Sequence, residues 1–343
     1  MHKNEDLRYE EYETPQIKPG TVKIRVKATG ICGSDVPRVL HNGAHFYPIV
    51  LGHEFAGDVA EIGQGVENLK VGDTVSGVPL VPCFKCYDCQ KGDYALCKHY
   101  SFIGSRRQGS FADYVVIPEP NAVKYESFIP YTQAAMFEPA AVALHGVMLS
   151  DYRGGKTTAI LGGGTIGLFV MQWAKIFGAK KTVVFDIDES RLQLAKRLGA
   201  DEIINTKEEG FAEAAAACTG GKGFGFVFET AGSPVTMRMA FELAANKAGV
   251  CFVGTPHTDL TFTPKQWESM NRKEFKLTGS WMSHSAPFPG EEWDLTAHFF
   301  AAGQLKFDDE LIFKTYPMSK AAEAFALYKT PSQVQGKIML VNE

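Results

Sequence analysis

The chain has 343 residues, more than one ordinary hydrophobic core accommodates, and this length predicts two domains. Hydrophobic residues make up 45% of the sequence and charged residues 22%, values that exclude an intrinsically disordered chain. The net charge of −4 gives no electrostatic reason to expect nucleic acid or an anionic membrane as a partner. No apolar run is long enough to span a membrane, and the first six residues are too polar to start a signal peptide, so we expect a cytoplasmic protein.

The first third of the chain predicts a small β-rich domain. Residues 22–28 alternate apolar and basic side chains, which is typical of a strand with one buried face. Further short strands are predicted at 57–62, 74–78 and 111–117, because glycine and proline turn signals separate these apolar runs.

A candidate metal centre accompanies these strands. Cys32 is followed by Ser34 and Asp35, and His53 and Glu54 follow about twenty residues later. Thiolate, imidazole and carboxylate groups are the ligands with which proteins bind Zn²⁺ at catalytic sites. The alternative is a buried cysteine and a structural histidine that bind nothing.

Four of the seven cysteines fall in one short window. In a reducing compartment such clustering indicates metal binding, because disulfides do not persist there. Four thiolates form a closed tetrahedral site with no position for a substrate, so we predict a structural zinc. The cysteines of this window are Cys83, Cys86, Cys89 and Cys97. Cys218 and Cys251 lie in or beside apolar segments and are interpreted as core residues.

Helical periodicity first appears over 132–149, where we expect Pro139 to interrupt it just after Glu138. A strand at 158–161 then leads into a glycine turn, and a helix is predicted over 168–177. This order of elements is the context of a dinucleotide-binding turn. Its glycines are Gly162, which makes the tight turn, Gly164, which admits the pyrophosphate, and Gly167, which lets the helix pack on the strand.

The next predicted strand, 182–186, ends in Asp186. An acid at this position binds the ribose hydroxyls and repels a 2′-phosphate, so the pattern predicts NAD rather than NADP. The alternative is that Asp186 is a surface acid.

Strands and helices alternate in the rest of the second domain. Helices are predicted at 189–198, 211–218 and 235–243, and strands at 202–204, 226–229 and 250–253. Strands that are apolar on both faces indicate a parallel sheet covered by helices. We expect Thr230, Gly254 and Ser280, which follow strands, to line the nicotinamide crevice. After Trp281 the chain should return to the first domain, with helices at 293–302 and 320–328 and a strand at 337–341.

Five motifs in register resemble the zinc-dependent medium-chain alcohol and polyol dehydrogenases over nearly the whole chain. They are the Cys32 loop, Gly-His-Glu-Phe-Ala-Gly at 52–57, the four-cysteine window, Glu138-Pro139 and the glycine turn. The resemblance implies an α/β protein with a GroES-like β-rich catalytic domain over 1–147 and 285–343 and a doubly wound parallel-sheet Rossmann domain over 148–284. It also implies two Zn²⁺ per subunit, one catalytic and one structural, an NAD cofactor, and a homodimer or homotetramer. Relatives usually open with an extra apolar strand, which this chain lacks or shortens.

The resemblance implies that Cys32 and His53 bind the catalytic zinc with Glu138 as the third protein ligand. In other polyol dehydrogenases Glu54 takes part instead, and the choice between the two carboxylates stays open. Asp35 is expected to accept the imidazole N–H of His53, with a turn-capping role as the alternative. A catalytic zinc would act as a Lewis acid on a secondary hydroxyl, and NAD would accept the hydride.

Ser34 resembles the relay hydroxyl of the family, which passes the substrate proton outward. Pro37 stands where many alcohol dehydrogenases have a relay histidine, so ribose hydroxyls, water or His45 are the candidates for the outer end. The remaining cofactor contacts that the resemblance implies are Thr165, Ile166 and Arg191.

The segments 42–45, 104–107 and 279–282 resemble a branch of the family that oxidises a hexitol phosphate to a ketose phosphate. A phosphate group requires cations, for which Arg38, Arg106 and Arg107, with His45, are the candidates; the alternative is that the adjacent arginines form a solvated turn. The substrate is therefore expected to be a polyol or polyol phosphate. An iditol, sorbitol, butanediol or threonine dehydrogenase would differ only in its substrate pocket, and a non-catalytic NAD- or zinc-binding protein is the alternative from another class.

Overall fold

The computed structural model describes residues 1–307, 309–330 and 334–342. The chain divides into two compact units, each described here by itself. Unit 1 consists of Met1–Glu138 and Ser283–Glu343, and unit 2 of Pro139–Met282. The domain boundary predicted at 147/148 therefore lies within unit 2. The boundary predicted at 284/285 lies close to the observed division between Met282 and Ser283.

The strands of the described chain are β1 (Thr21–Gly30), β2 (Glu54–Ile62), β3 (Thr74–Gly77), β4 (Leu80–Val81), β5 (Ser101–Phe102), β6 (Tyr114–Pro118), β7 (Ala122–Lys124), β8 (Thr157–Leu161), β9 (Lys181–Asp186), β10 (Glu202–Asn205), β11 (Phe224–Glu229), β12 (Ala244–Phe252), β13 (Lys276–Gly279), β14 (Ile312–Pro317) and β15 (Lys337–Val341). The α-helices are α1 (Asp35–Pro37), α2 (Tyr87–Lys91), α3 (Tyr131–Ala134), α4 (Phe137–Leu149), α5 (Thr165–Ile176), α6 (Glu189–Arg197), α7 (Phe211–Thr219), α8 (Pro234–Leu243), α9 (Pro264–Lys273), α10 (Glu291–Ala301) and α11 (Ala321–Ala326).

Unit 1 is built on a seven-stranded sheet with the order β14-β15-β1-β2-β3-β7, and β6 also pairs with β1. The prediction of a half-buried strand over 22–28 is confirmed: Val22, Ile24 and Val26 are fully buried, whereas the intervening Arg25 is exposed. These apolar side chains pack against Phe55 and other residues of one core cluster.

The pairing around β1 brings distant parts of the sequence to one end of this sheet. Gly30, the last residue of β1, pairs with Glu54 at the start of β2 on one side and with Met339 of β15 on the other. Cys32 follows two residues after Gly30, so the first candidate metal ligand lies beside both the second strand and the C-terminal strand.

Unit 2 contains a six-stranded parallel sheet with the order β10-β9-β8-β11-β12-β13. The strand order reverses between β8 and β11, which makes this edge of the sheet the switch point where ligands bind in doubly wound folds. Residues 159–161 of β8 are completely buried, as expected of a strand covered by helices on both faces.

The helix break predicted at Pro139 is wrong. α3 ends at Ala134 and α4 begins at Phe137, so the break precedes the proline, which lies in the first turn of α4. A proline is tolerated there because the first helical N–H groups have no intrahelical acceptor.

No prediction covers helix α9 or strand β14, nor the short elements β4, β5, β7, α1 and α2. The capping box of Thr263 and Gln266 at the start of α9 was a sequence signal for that helix. Residues 1–20 form no strand and contribute only an isolated bridge between Lys3 and Asp6. Among the described residues, none of the helices has the length and apolar character needed to cross a lipid bilayer.

Candidate active site

Cys32, His53 and Glu54 meet at the end of the unit 1 sheet. One ligand atom of each residue lies within 4.8 Å of a ligand atom of the other two. Gly30 leaves room for this arrangement, since a Cβ on it would lie 2.2 Å from Oε2 of Glu54. A sulfur, a nitrogen and a carboxylate oxygen form the donor set of a catalytic Zn²⁺ site, so the residues present fit this ion.

Asp35 lies behind the imidazole of His53. Its Oδ1 is 3.5 Å from Nδ1 of His53, and its Oδ2 accepts the backbone N–H of Cys32 at 3.3 Å. Burial alone would lower the pKa of His53, but the negative charges of Asp35 and Cys32 outweigh it and hold that pKa well above its usual value. Asp35 is therefore positioned to orient the ring and leave its other nitrogen for a metal.

Lys337 is a site residue that the sequence analysis missed. Its Nζ donates to Oε2 of Glu54 at 2.6 Å, to Oε1 at 2.8 Å and to the backbone carbonyl of Ile31 at 3.2 Å. Both side chains are buried, and although burial works to lower the pKa of Lys337, the charge of Glu54 raises it on balance. The available signal was a lysine at the first position of the otherwise apolar strand β15.

Glu138 lies in the first turn of α4 and is buried, but it is outside the group formed by Cys32, His53 and Glu54. Burial raises the pKa of Glu138 to about 7, opposed by the charge of His53 and reinforced by that of Glu54. Glu138 is thus within electrostatic range of this group, while Glu54 is the carboxylate that directly accompanies the sulfur and the imidazole.

Ser34 and Arg38 form a hydrogen-bonded pair beside Cys32. The Ser34 hydroxyl lies 3.4 Å from Sγ of Cys32. Arg38 donates from Nη1 to the Ser34 carbonyl at 2.9 Å, to Oγ of Ser34 at 3.0 Å and to Oδ1 of Asp35 at 3.3 Å. The predicted relay hydroxyl is therefore held by one of the predicted phosphate cations, a contact that the sequence did not reveal.

The other predicted cations belong to neighbouring loops of unit 1. Burial lowers the pKa of His45, and the positive charges of Arg106 and Arg38 lower it further, so His45 lies within electrostatic range of both arginines and its neutral form is favoured. The Arg106 guanidinium stacks on the ring of Tyr100 at 4.7 Å. Arg107 is half-buried, and burial lowers its pKa.

The four clustered cysteines also come together. The sulfur atoms of Cys83, Cys86, Cys89 and Cys97 lie within 4.8 Å of one another. The backbone N–H groups of Lys85 and Cys86 lower the pKa of the Cys83 thiol to about 6, whereas burial raises that of Cys89 to about 12. Four sulfur donors fit a closed structural Zn²⁺ site, whose charge would favour the thiolate form of all four.

The glycine turn of unit 2 connects β8 to α5. Gly162 has a φ of +113°, and a Cβ on Gly167 would lie 1.8 Å from the carbonyl oxygen of Gly162. A Cβ on Gly164 would meet no described atom within 4 Å, so the chain itself does not fill the space before the N-terminus of α5. Thr165 and Ile166 are the first residues of this helix. A strand, a turn without side chains and a free helix end fit a bound pyrophosphate.

Asp186 ends β9 and lies against this turn. Its Oδ2 accepts the N–H of Gly163 at 2.6 Å, and its Oδ1 accepts the N–H groups of Ile187 and Asp188 at 2.7 and 2.9 Å. Arg191 borders the same glycine, since a Cβ on Gly163 would lie 3.3 Å from Cβ of Arg191. The carboxylate is therefore fixed beside the turn by the backbone.

Thr230, Gly254 and Ser280 lie at the carboxyl ends of β11, β12 and β13, as predicted. Glu229 was missed: it is fully buried, and its Oε1 accepts the N–H groups of Ala231 and Gly232 at 3.0 and 2.9 Å. This carboxylate shapes the loop after β11. A glutamate ending an apolar strand was the signal for it.

Known proteins resemble this chain over most of its length. The family model described as alcohol dehydrogenase GroES-like domain matches residues 18–127, and that described as zinc-binding dehydrogenase matches residues 165–298. The chain is 40% identical over 303 residues to galactitol 1-phosphate 5-dehydrogenase of Escherichia coli strain K12, covering 88% of each chain. It is 34% identical over 261 residues to sorbitol dehydrogenase of Bacillus subtilis strain 168, covering 75% of this chain and 74% of the relative.

The crystal structure of galactitol-1-phosphate dehydrogenase from Escherichia coli matches with a TM-score of 0.94 at 37% identity, covering 99% of this chain and 98% of that one. The predicted α/β class, with a GroES-like and a Rossmann-like part, is confirmed.

Proposed function

The chain belongs to the zinc-dependent alcohol dehydrogenase family, and on that premise we propose that it oxidises a secondary alcohol of a polyol or polyol phosphate to a ketose with NAD. The observation that carries the proposal is the convergence of Cys32, His53 and Glu54 within 4.8 Å. A protein that only stores zinc or only binds the nucleotide has no need of this open set of ligands beside a hydroxyl such as Ser34.

Two zinc ions would be held by this chain. Cys32, His53 and one carboxylate would hold the catalytic ion, and the four clustered cysteines the structural one. Glu54 is favoured as the carboxylate by its distance, and Glu138 is the alternative by its burial and its range to His53. The zinc supplies a Lewis acid and NAD a hydride acceptor. Within the protein, Asp35 would orient His53 and Lys337 would hold Glu54. Oγ of Ser34 would accept the substrate proton while its own hydroxyl proton passes to a ribose hydroxyl, water or His45.

The substrate that we propose is galactitol 1-phosphate, oxidised to L-tagatose 6-phosphate. Two features favour it over sorbitol, butanediol or threonine: the 40% identity to the galactitol 1-phosphate enzyme and the positive charges of Arg38 and Arg106, which both act on His45. A phosphate monoester is the group that such cations bind. Threonine and butanediol carry no phosphate to match this charge.

NAD is proposed over NADP because the fixed carboxylate of Asp186 accepts ribose hydroxyls and repels a 2′-phosphate. Thr165, Ile166 and Arg191 border the same turn and would contact the dinucleotide. We further propose a cytoplasmic homodimer or homotetramer.

The test is a steady-state screen that follows NADH absorbance with galactitol 1-phosphate, galactitol, sorbitol, 2,3-butanediol and threonine. We expect the highest kcat/KM with galactitol 1-phosphate. The Cys32→Ser variant should lose turnover together with one of two zinc ions per chain, whereas Cys251→Ser, at a buried cysteine that belongs to neither ligand group, should retain both. A higher kcat/KM with an unphosphorylated substrate would overturn the substrate proposal. Full turnover of Cys32→Ser would overturn the catalytic zinc site.

A further inference from the structure

The guanidinium of Arg38 has two ends with different surroundings. Nη1 is taken up by Ser34 and Asp35, through three contacts of 2.9 to 3.3 Å. Among residues 1–307, 309–330 and 334–342, no acceptor contacts Nε or Nη2. The side chain is three-quarters buried, with 24% of its surface exposed.

The contacts of Nη1 fix the direction of the Ser34 hydroxyl. Because Nη1 donates to Oγ, the hydroxyl proton must point elsewhere, and Sγ of Cys32 at 3.4 Å is its described acceptor. Oγ keeps one lone pair that accepts no hydrogen bond from Arg38, and the position of Arg38 determines where this lone pair points. A side chain that holds this hydroxyl in one orientation sets how a substrate hydroxyl approaches it.

The second cation of this region comes from the loop that carries Arg106. The Arg106 backbone N–H donates to the Phe102 carbonyl at 2.9 Å, and the Phe102 ring meets the His53 ring edge-on at 5.5 Å. Arg38 is linked to the same imidazole through Asp35, whose Oδ1 lies 3.3 Å from Nη1 of Arg38 and 3.5 Å from Nδ1 of His53. Both arginines are therefore one residue removed from His53, and both lower the pKa of His45.

We propose that Arg38 is a positioning residue for Ser34 whose free end, together with Arg106, binds the phosphate group of the substrate. The inference rests on the proposed function and adds that one guanidinium connects phosphate binding to the orientation of the relay hydroxyl. A phosphate group bound at Nη2 and Nε would fix the orientation of the Arg38 guanidinium. The guanidinium, through Nη1, would in turn fix the position of Oγ of Ser34. A phosphorylated polyol would then gain in turnover as well as in affinity.

The experiment compares galactitol 1-phosphate with galactitol as substrates of four proteins: wild type, Arg38→Gln, Arg106→Gln and the control Arg153→Gln at an exposed arginine of unit 2. Arg38→Gln should lower kcat by about tenfold or more with both substrates and raise KM only for the phosphorylated one, because it loses charged hydrogen bonds at both ends. Arg106→Gln should raise KM only for the phosphorylated substrate. Arg153→Gln should match wild type, and all variants should keep their zinc content.

Chemical rescue of an Arg38 variant by added guanidinium distinguishes the proposed positioning role from a purely structural one. Added guanidinium chloride at millimolar concentration should restore part of the kcat of Arg38→Ala, and Arg38→Lys should stay slow because an ammonium cannot make the forked contacts. An unchanged kcat of Arg38→Gln with galactitol, or a KM that rises equally for both substrates, would overturn the inference.

Failure of the proposed function gives a different result. If the wild type oxidised neither substrate, the substrate proposal would fall, and the anion site would still be tested by calorimetric titration with inorganic phosphate. Weaker phosphate binding by Arg38→Gln than by Arg153→Gln supports the site, and equal binding by both overturns it.

Discussion

Nζ of Lys337 lies within 2.8 Å of both carboxylate oxygens of Glu54, a residue 283 positions earlier in the chain. Glu54 directly follows the candidate zinc ligand His53, so the last strand neutralises a charge at the metal site. A buried carboxylate is tolerated only with such a partner, because desolvation costs several kcal/mol per ion.

Replacing Lys337 by methionine should lower the free energy of unfolding by about 3–5 kcal/mol, since Glu54 is left as an unpaired buried charge. Urea unfolding of the metal-free protein measures the change. The double variant Glu54→Gln/Lys337→Met should recover most of the loss. Lys320→Met, which removes an exposed ion pair with Glu323 at 3.6 Å, should cost less than about 1 kcal/mol. Equal effects of the two lysine variants would contradict the assignment of a buried pair.

The pKa of Glu138, raised by burial from 4.5 to about 7, predicts a pH dependence of stability. The folded state binds the proton more tightly than the unfolded state, so this stabilisation is complete below pH 4.5 and is lost as the pH rises through 7. In metal-free protein, the unfolding free energy of wild type should therefore fall more between pH 5 and pH 8, by about 1–3 kcal/mol, than that of Glu138→Gln. Urea titrations across this interval measure both slopes, and parallel slopes would show that Glu138 titrates normally.

The thiols of the four-cysteine window should react unequally with iodoacetamide in metal-free protein. The pKa of Cys83 is lowered to about 6, so it is a thiolate above that pH, whereas Cys89, with a pKa raised to about 12, stays protonated at pH 7. Mass spectrometry of timed digests should find Cys83 modified at least about tenfold faster than Cys89. The ratio of the two thiolate fractions sets the upper limit of this difference in rate. One zinc ion should protect both. Equal rates at pH 7 without metal would be inconsistent with these environments.

Asp186→Asn should change the choice of nucleotide. The substitution removes the charge that repels a 2′-phosphate, and the kcat/KM ratio of NAD over NADP should fall by about tenfold or more. Asp201→Asn is the matched control, because Asp201 also accepts a backbone N–H, that of Thr182 at 2.7 Å, on the same unit. An unchanged ratio in Asp186→Asn would remove this residue from cofactor selection.

The sequence was sufficient for features that depend on spacing along the chain. Cys83 to Cys97 is a local cluster, and the glycine turn follows its strand directly, so both were found without knowledge of the fold. The class of fold followed from apolar runs that alternate with helical periods. The break assigned to Pro139 failed because position within a helix, rather than residue type alone, decides whether proline is tolerated.

What the sequence did not reveal depends on pairing between distant strands. Lys337 reaches Glu54 only because β15 pairs with β1 and β1 with β2. Arg38 was found as a cation, but its contact with Ser34 depends on the helical turns that follow Cys32. The sequence predicts that Glu229 ends a strand, but its hydrogen bonds to Ala231 and Gly232 depend on how the following loop folds back.

The position of β15 has a consequence for biosynthesis. While the ribosome is still translating the segments before Lys337, the growing polypeptide lacks the ammonium that Glu54 needs, so the pocket around Cys32 and His53 cannot close in its final form. Metal loading of this pocket during synthesis would therefore wait until Lys337 has been translated, whereas the four-cysteine loop, which precedes it in the chain, would be free to capture its ion sooner.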